Sequence, residues 1–162
     1  MDGPALYDSD ILAWSEQQAA ALRRLAARRD LPNDLDLENV VEEIESVGRA
    51  QREAVESFIE LILLHIAKAV SEPDAPSLGH WRTECVGWQV QLSRRFTPSM
   101  RSVIDMNKLW RDALRQAEAA LEEHGRALSG SLGRPCPVSI DDLLSNDFDF
   151  RATVERLADA VP

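Results

Sequence analysis

Glu42, Glu43 and Glu45, together with His65, are the residue types that acid–base catalysis or a metal centre would need. Their spacing limits what they can do together. Glu43 and His65 differ by only about 40° in azimuth on a shared helix, but their 22-residue separation is about 33 Å along it. They share a ligand only if the helix breaks near Gly48 and folds back. Glu42 and Glu45 point away from the apolar stripe through Ile44, which predicts exposure. Glu43 borders that stripe and is the candidate for a partly buried carboxylate held by an Arg or a Trp N–H. His65 lies beside the stripe with Phe58 and Leu61, the setting of a core histidine whose pKa burial or a carboxylate would shift. Lys68 reads as a side chain laying its stem on apolar surface near a helix end. His80 and Trp81 open the next helix, so a metal site of His65, His80, Cys85 and one carboxylate is sterically possible.

The catalytic candidates are therefore Glu43 and His65, and the metal candidates His65, His80 and Cys85. Several stronger signatures are missing from the sequence. It contains no His-Glu-x-x-His, no Glu-x-x-His pair, no Gly-rich phosphate loop and no Gly-x-Ser-x-Gly elbow. No cofactor is expected.

The elements that must position these groups are helical. Seven glycines and eight prolines punctuate a chain rich in Ala, Leu, Glu, Gln and Arg, and no stretch alternates with the period of a strand. The prediction is an all-α bundle of about four long helices plus one or two short C-terminal ones, forming one domain with a core over about residues 7–148. The first helix is expected from Asp8 or Ser9 to Arg29, burying Ile11, Trp14, Gln18, Leu22 and Leu25. The second starts after Asp36 and runs to Val70. Its stripe includes Leu37, Val40, Val41, Ile44 and Val47, and Gly48 predicts a kink or a close crossing. The third spans Ser77 to Phe96. The fourth opens at Thr97-Pro98, buries Val103, Met106 and Trp110, and ends at Gly125. Ser139 caps a short helix through Leu144, and a last helix covers Phe150 to Ala160. Trp14, Trp81, Trp88 and Trp110 are all expected as core anchors.

Charge narrows the function classes. Eighteen Lys and Arg against 28 Asp and Glu give a net charge of −10, which argues against nucleic acid and anionic lipid as partners. The charge is also uneven. Ten acids face only Arg49 and Arg52 between Asp30 and Ile62, whereas seven bases outweigh Glu84, Asp105 and Asp112 between Leu78 and Arg115. Arg23, Arg24, Arg28 and Arg29 form a further basic cluster at a helix end. Two cysteines 51 residues apart suggest a reducing compartment, and the apolar run Ile59–Val70 is too short and too polar to cross a bilayer. The expected location is cytoplasmic.

The order of motifs is familiar. Tyr7-Asp8-x-Asp10 precedes Ala13-Trp14; Leu35-Asp36-x-Glu38-Asn39 precedes Glu42-Glu43-Ile44-Glu45-Ser46-x-Gly48; then come His65-x-x-Lys68, Ser77, Trp81, Pro98-Ser99-Met100 and Cys136-Pro137. From about Tyr7 to Phe148 the chain resembles the bacterial family known as domain of unknown function 29. That resemblance implies a cytosolic all-helical domain with no assigned activity. Ala69-Val70 stands where the family often carries an aromatic residue, and Cys85 and Gln89 stand where it tends to carry Ile and Arg.

The expectation that follows is a non-enzymatic protein-interaction or oligomerisation module, with a protein partner or a second copy as its ligand. The alternatives are a small metal-dependent or acid–base enzyme using Glu43 and His65, and a nucleic-acid-associated regulator acting through the basic segment. An open cavity ringed by ionisable groups would favour the enzyme.

Overall fold

The computed structural model describes residues 3–28 and 30–160; Arg29, counted above in a basic cluster, lies outside them. Among the described residues all regular structure is helical: α1 (Gly3–Ser9), α2 (Ile11–Ala26), α3 (Leu37–Ser71), α4 (Leu78–Arg95), a 3-10 helix at Pro98–Ser102, α5 (Met106–Glu122), α6 (Ile140–Leu144) and α7 (Phe150–Ala158). None of these helices is long and apolar enough to cross a membrane. Four long helices and two short C-terminal ones match the expectation, and α1 is an addition to it.

Two compact units make up the chain: one contains residues up to Ala54 together with Phe96–Ile104, the other Val55–Arg95 together with the chain from Asp105 onward. In the first unit α2 begins one residue after Asp10, so the N-cap is Asp10 rather than Asp8 or Ser9. Its carboxylate accepts from Ala13 N (3.1 Å), and from Ser99 N (2.8 Å) and Ser99 Oγ (2.6 Å). Burial works against its charge, but the Ser99 and Ala13 donors prevail and hold the carboxyl below the usual carboxylate range. The buried residues of α2 are Leu12, Ser15 and Ala19, one position away from the predicted stripe. Gly48 explains the shift. A Cβ on Gly48 would sit 2.1 Å from Ser15 Oγ and 3.2 Å from Leu12 Cα, so α2 crosses α3 at backbone contact and needs small residues there. The helix does not break at Gly48.

The expected stripe of α3 is only partly covered in this unit: Val41 is buried, Leu37 and Ile44 are half-buried, and Val40 and Val47 are exposed. The single fourth helix is in fact two. Pro98 starts a 3-10 turn, the chain leaves helical geometry at Val103, and Asp105 recaps α5 by accepting from Lys108 N (3.0 Å). Val103 is consequently exposed.

The second unit holds the larger core. Ile59, Ile62, Leu63 and Ile66 of α3 are fully buried there, as are Leu92 of α4 and Trp110, Ala113 and Ala117 of α5. Trp110 donates its indole N–H to Gly133 O (2.9 Å), tying down the loop that follows α5. Gly125 takes φ +67°, the left-handed conformation that ends the α5 turn. Ser139 caps α6 in a reciprocal pair with Asp142, and Asp149 caps α7. Trp81 and Trp110 are buried, whereas Trp14 and Trp88 remain half-exposed.

Candidate functional site

The polar cluster of the second unit forms around His65. Its position on α3 buries it between apolar neighbours, and the edges of Trp88 (4.8 Å between ring centroids) and Trp81 (6.0 Å) meet the imidazole ring. Nδ1 lies 3.0 Å from the Leu61 carbonyl one turn back. Nε2 lies 3.2 Å from Glu84 Oε2 of α4, and the other carboxylate oxygen lies 3.4 Å from His80 Nε2. His80 and Glu84 are one turn apart on α4, which places both on one face. Lys68 stacks its ammonium over the Trp81 ring at 4.3 Å. Burial, aided by the Lys68 charge, lowers the pKa of His65, against the opposing pull of Leu61 O and Glu84.

The structure thus brings His65 and His80 onto one carboxylate, and that carboxylate is Glu84, which the sequence reading missed. The signal was present as His80-x-x-x-Glu84 at helical spacing. Glu43 is not the partner. It is exposed, 22 residues from His65 on an unbroken α3, while Glu45, expected to be exposed, is the half-buried acid in a two-pronged pair with Arg23 (2.6 and 2.8 Å). Glu42 pairs with Arg49 at 2.6 Å. Cys85 turns away from the cluster: its thiol lies in the core, 4.0 Å from Ile62 O, and burial pushes its pKa far up. Such a thiol is neither a nucleophile nor a ready ligand.

An open groove of about 440 Å³ lies beside Lys68 and Trp81. Its ionisable lining is Lys68, stacked on Trp81, Glu72, which pairs with Arg126 at 3.4 Å, Asp74, and His124, whose Nδ1 lies 3.1 Å from Ala120 O. Both ring nitrogens of His65 face protein oxygen.

A family model described as Domain of unknown function DUF29 matches residues 6–149. The chain belongs to this family. It is also similar to a crystal structure of an alpha-helical protein of unknown function from Rhodospirillum rubrum, with 42% identity and a TM-score of 0.86 over 93% of this chain and 96% of that one. No curated protein matches the chain. Membership of the DUF29 family makes its motif residues readable in three dimensions. Asp10 of the opening motif grips Ser99 of the Pro98-Ser99-Met100 motif, and Gly48, which closes the acidic block, is where α2 crosses. His65 and Lys68 both rest on tryptophan. Gln89 donates to Leu143 O (3.2 Å) and Ser145 O (3.1 Å), binding α4 to the end of α6.

Proposed function

We propose that this protein is a non-enzymatic association module and that its partner is a second copy of the same chain. The observation that carries the reading is a pair of uncovered valine ladders of opposite charge. On α3, Val40 (39% exposed) and Val47 (45%) are two turns apart with exposed Glu43 beside them, in the segment whose acids far outnumber its bases. On α4, Val86 (48%) and Val90 (38%) are one turn apart, between exposed Arg82 and Arg94. Apolar centres with charged rims are the ordinary material of protein interfaces, and complementary rims set their register. Two different faces meeting make a head-to-tail contact, which closes into a ring or continues as a chain. The commitment of both His65 nitrogens within the fold supports the non-enzymatic half of the proposal.

Sedimentation velocity over roughly 10 μM to 1 mM tests it, since weak interfaces have dissociation constants in that range. Concentration-dependent association is expected, lost in Val47→Asp and in Val86→Asp. Glu43→Arg and Arg82→Glu should each weaken it, and mixing the two variants should restore it. A strict monomer across the whole range would overturn the proposal.

A further inference from the structure

Donors crowd one small cleft of the second unit. The cleft, about 310 Å³, is lined by Asn107, Trp110 and Arg111 of α5 and by Arg134 and Pro135 of the loop that follows. Asn107, Trp110 and Arg111 are spaced three and four residues apart, which puts them on one face of the helix. Two bonds clamp the loop on either side of Arg134. Trp110 donates to Gly133 O (2.9 Å), and Cys136 N donates to Asn107 Oδ1 (2.8 Å). The second bond also orients the Asn107 amide. A backbone N–H only donates, so the amide oxygen faces Cys136 and the NH2 is the end left over. Among the described residues neither Arg111 nor Arg134 has a hydrogen bond or an ion pair. Asp112 feels the Arg111 charge, but its two oxygens are held by Lys108 (3.0 Å) and Arg115 (3.7 Å). Asp112 and Glu118 border an adjoining hollow that shares both arginines, and no acid of the described residues borders the cleft itself. A chain of 28 acids and 18 bases thus leaves two guanidinium groups on one cleft without a carboxylate between them.

We propose that this cleft binds a phosphoryl group, as inorganic phosphate or at the end of a small monoester, through Arg111, Arg134 and the Asn107 amide. Charge selects that group. Near neutral pH a phosphoryl group carries close to two negative charges and three strong acceptor oxygens, which suits two guanidinium groups and one amide donor supplied by two elements. A carboxylate brings one charge and two oxygens, enough for a single arginine fork. Pro135 and buried Trp110 make the remaining wall apolar, so an organic body has a surface to rest on. The cleft stands at the small end of the range for ligand sites, which limits that body to about one ring. The clamped loop sets the Arg134 backbone before a ligand arrives, which reduces the ordering that binding requires. The cleft shares no residue with the valine ladders of α3 and α4, so its occupancy is independent of self-association.

Calorimetry and nitrogen-resolved NMR of the full chain test the site with phenyl phosphate, inorganic phosphate and benzoate, at about pH 8 and constant ionic strength, where the phosphoryl group is a dianion. One saturable equivalent of phenyl phosphate is expected, with a dissociation constant no weaker than about 1 mM. Benzoate should bind about tenfold more weakly or worse. Arg111→Gln and Arg134→Gln alter exposed side chains and should each weaken phosphoryl binding about tenfold. Asn107→Asp keeps an acceptor for Cys136 N but turns an oxygen toward the ligand, and should weaken it as much. Arg24→Gln, exposed on α2, should change nothing. Tighter binding of phenyl phosphate than of inorganic phosphate supports a monoester as the ligand, and equal binding supports free phosphate. Signals that drift without saturating would overturn the proposal, as would equal responses in Arg24→Gln and Arg134→Gln. So would benzoate binding as tightly as phenyl phosphate, which would make the cleft a carboxylate site.

Discussion

Replacing Gly48 with alanine sets two opposed terms against each other. In a helix interior alanine is favoured over glycine by about 1 kcal/mol, so the substitution should stabilise α3 wherever space allows. At Gly48 it does not: the added methyl would meet Ser15 Oγ at 2.1 Å, Leu12 Cδ1 at 3.1 Å and Leu12 Cα at 3.2 Å. Turning the Ser15 hydroxyl aside relieves the first contact at the expense of its bond to Leu12 O (2.8 Å), but the Leu12 backbone can yield only if α2 moves. Overpacking of this kind costs about 1–3 kcal/mol, and a lost buried hydrogen bond about another 1. After the gain in helix propensity, Gly48→Ala should destabilise by about 1–3 kcal/mol, lowering the urea midpoint by roughly 0.5–1.5 M for a slope near 2 kcal/mol/M. Gly87→Ala on α4 is the matched control, because an added methyl there would meet nothing within 4 Å, and it should stabilise by up to about 1 kcal/mol. Combining Gly48→Ala with Ser15→Ala should recover part of the loss. If Gly48→Ala raised the midpoint as Gly87→Ala does, the close crossing of α2 and α3 would be wrong.

Other substitutions probe separate parts of the molecule. Asp10→Asn keeps an oxygen for Ala13 N and Ser99 Oγ but sets an amide NH2 against Ser99 N and removes the charge, and should cost about 1–3 kcal/mol at pH 7. Because the folded pKa of Asp10 lies below 3.8, its contribution is complete above about pH 4 and is lost as pH falls through the folded value; acid unfolding curves of the variant should be flatter in that window. Native protein treated with a thiol reagent at mildly alkaline pH should label half-buried Cys136 first, with Cys85 reacting only as fast as the chain unfolds. Trp110→Phe takes the N–H away from Gly133 O and should cost about 1–3 kcal/mol, with faster amide exchange in the loop around Gly133 as its signature.

The helices were legible because their signals are local. Asp36, Ser139 and Gly125 act within one turn of their own positions, and the structure ends or starts a helix at each. Where the sequence reading slipped, the deciding contact came from far along the chain. Asp8, Ser9 and Asp10 are all competent caps, and Ser99, 89 residues away, selects Asp10 by giving it two further donors. The apolar period of α2 favours Ile11 and Trp14, but the crossing at Gly48 rewards small side chains and so buries Ser15 and Ala19. Pro98 is a genuine start signal, yet Asp105 is a second one seven residues later, and periodicity alone does not reveal that the chain restarts there.

The site was half legible for the same reason. His65, His80 and Cys85 were identified by residue type, but choosing among them required knowing which face of α4 meets α3. Glu84 and Cys85 are neighbours in sequence and so differ by about 100° around the helix; one of them must turn inward. A thiol loses little by entering an apolar core, whereas a carboxylate loses its hydration unless a donor or cation compensates. Cys85 therefore packs against Ile62, and Glu84 stays at the half-exposed rim where His65 and His80 reach it. The side chain best suited by type to bind a soft metal is thus removed from the site by its own hydrophobicity. The acid beside it meets the two histidines instead, because the core refuses it.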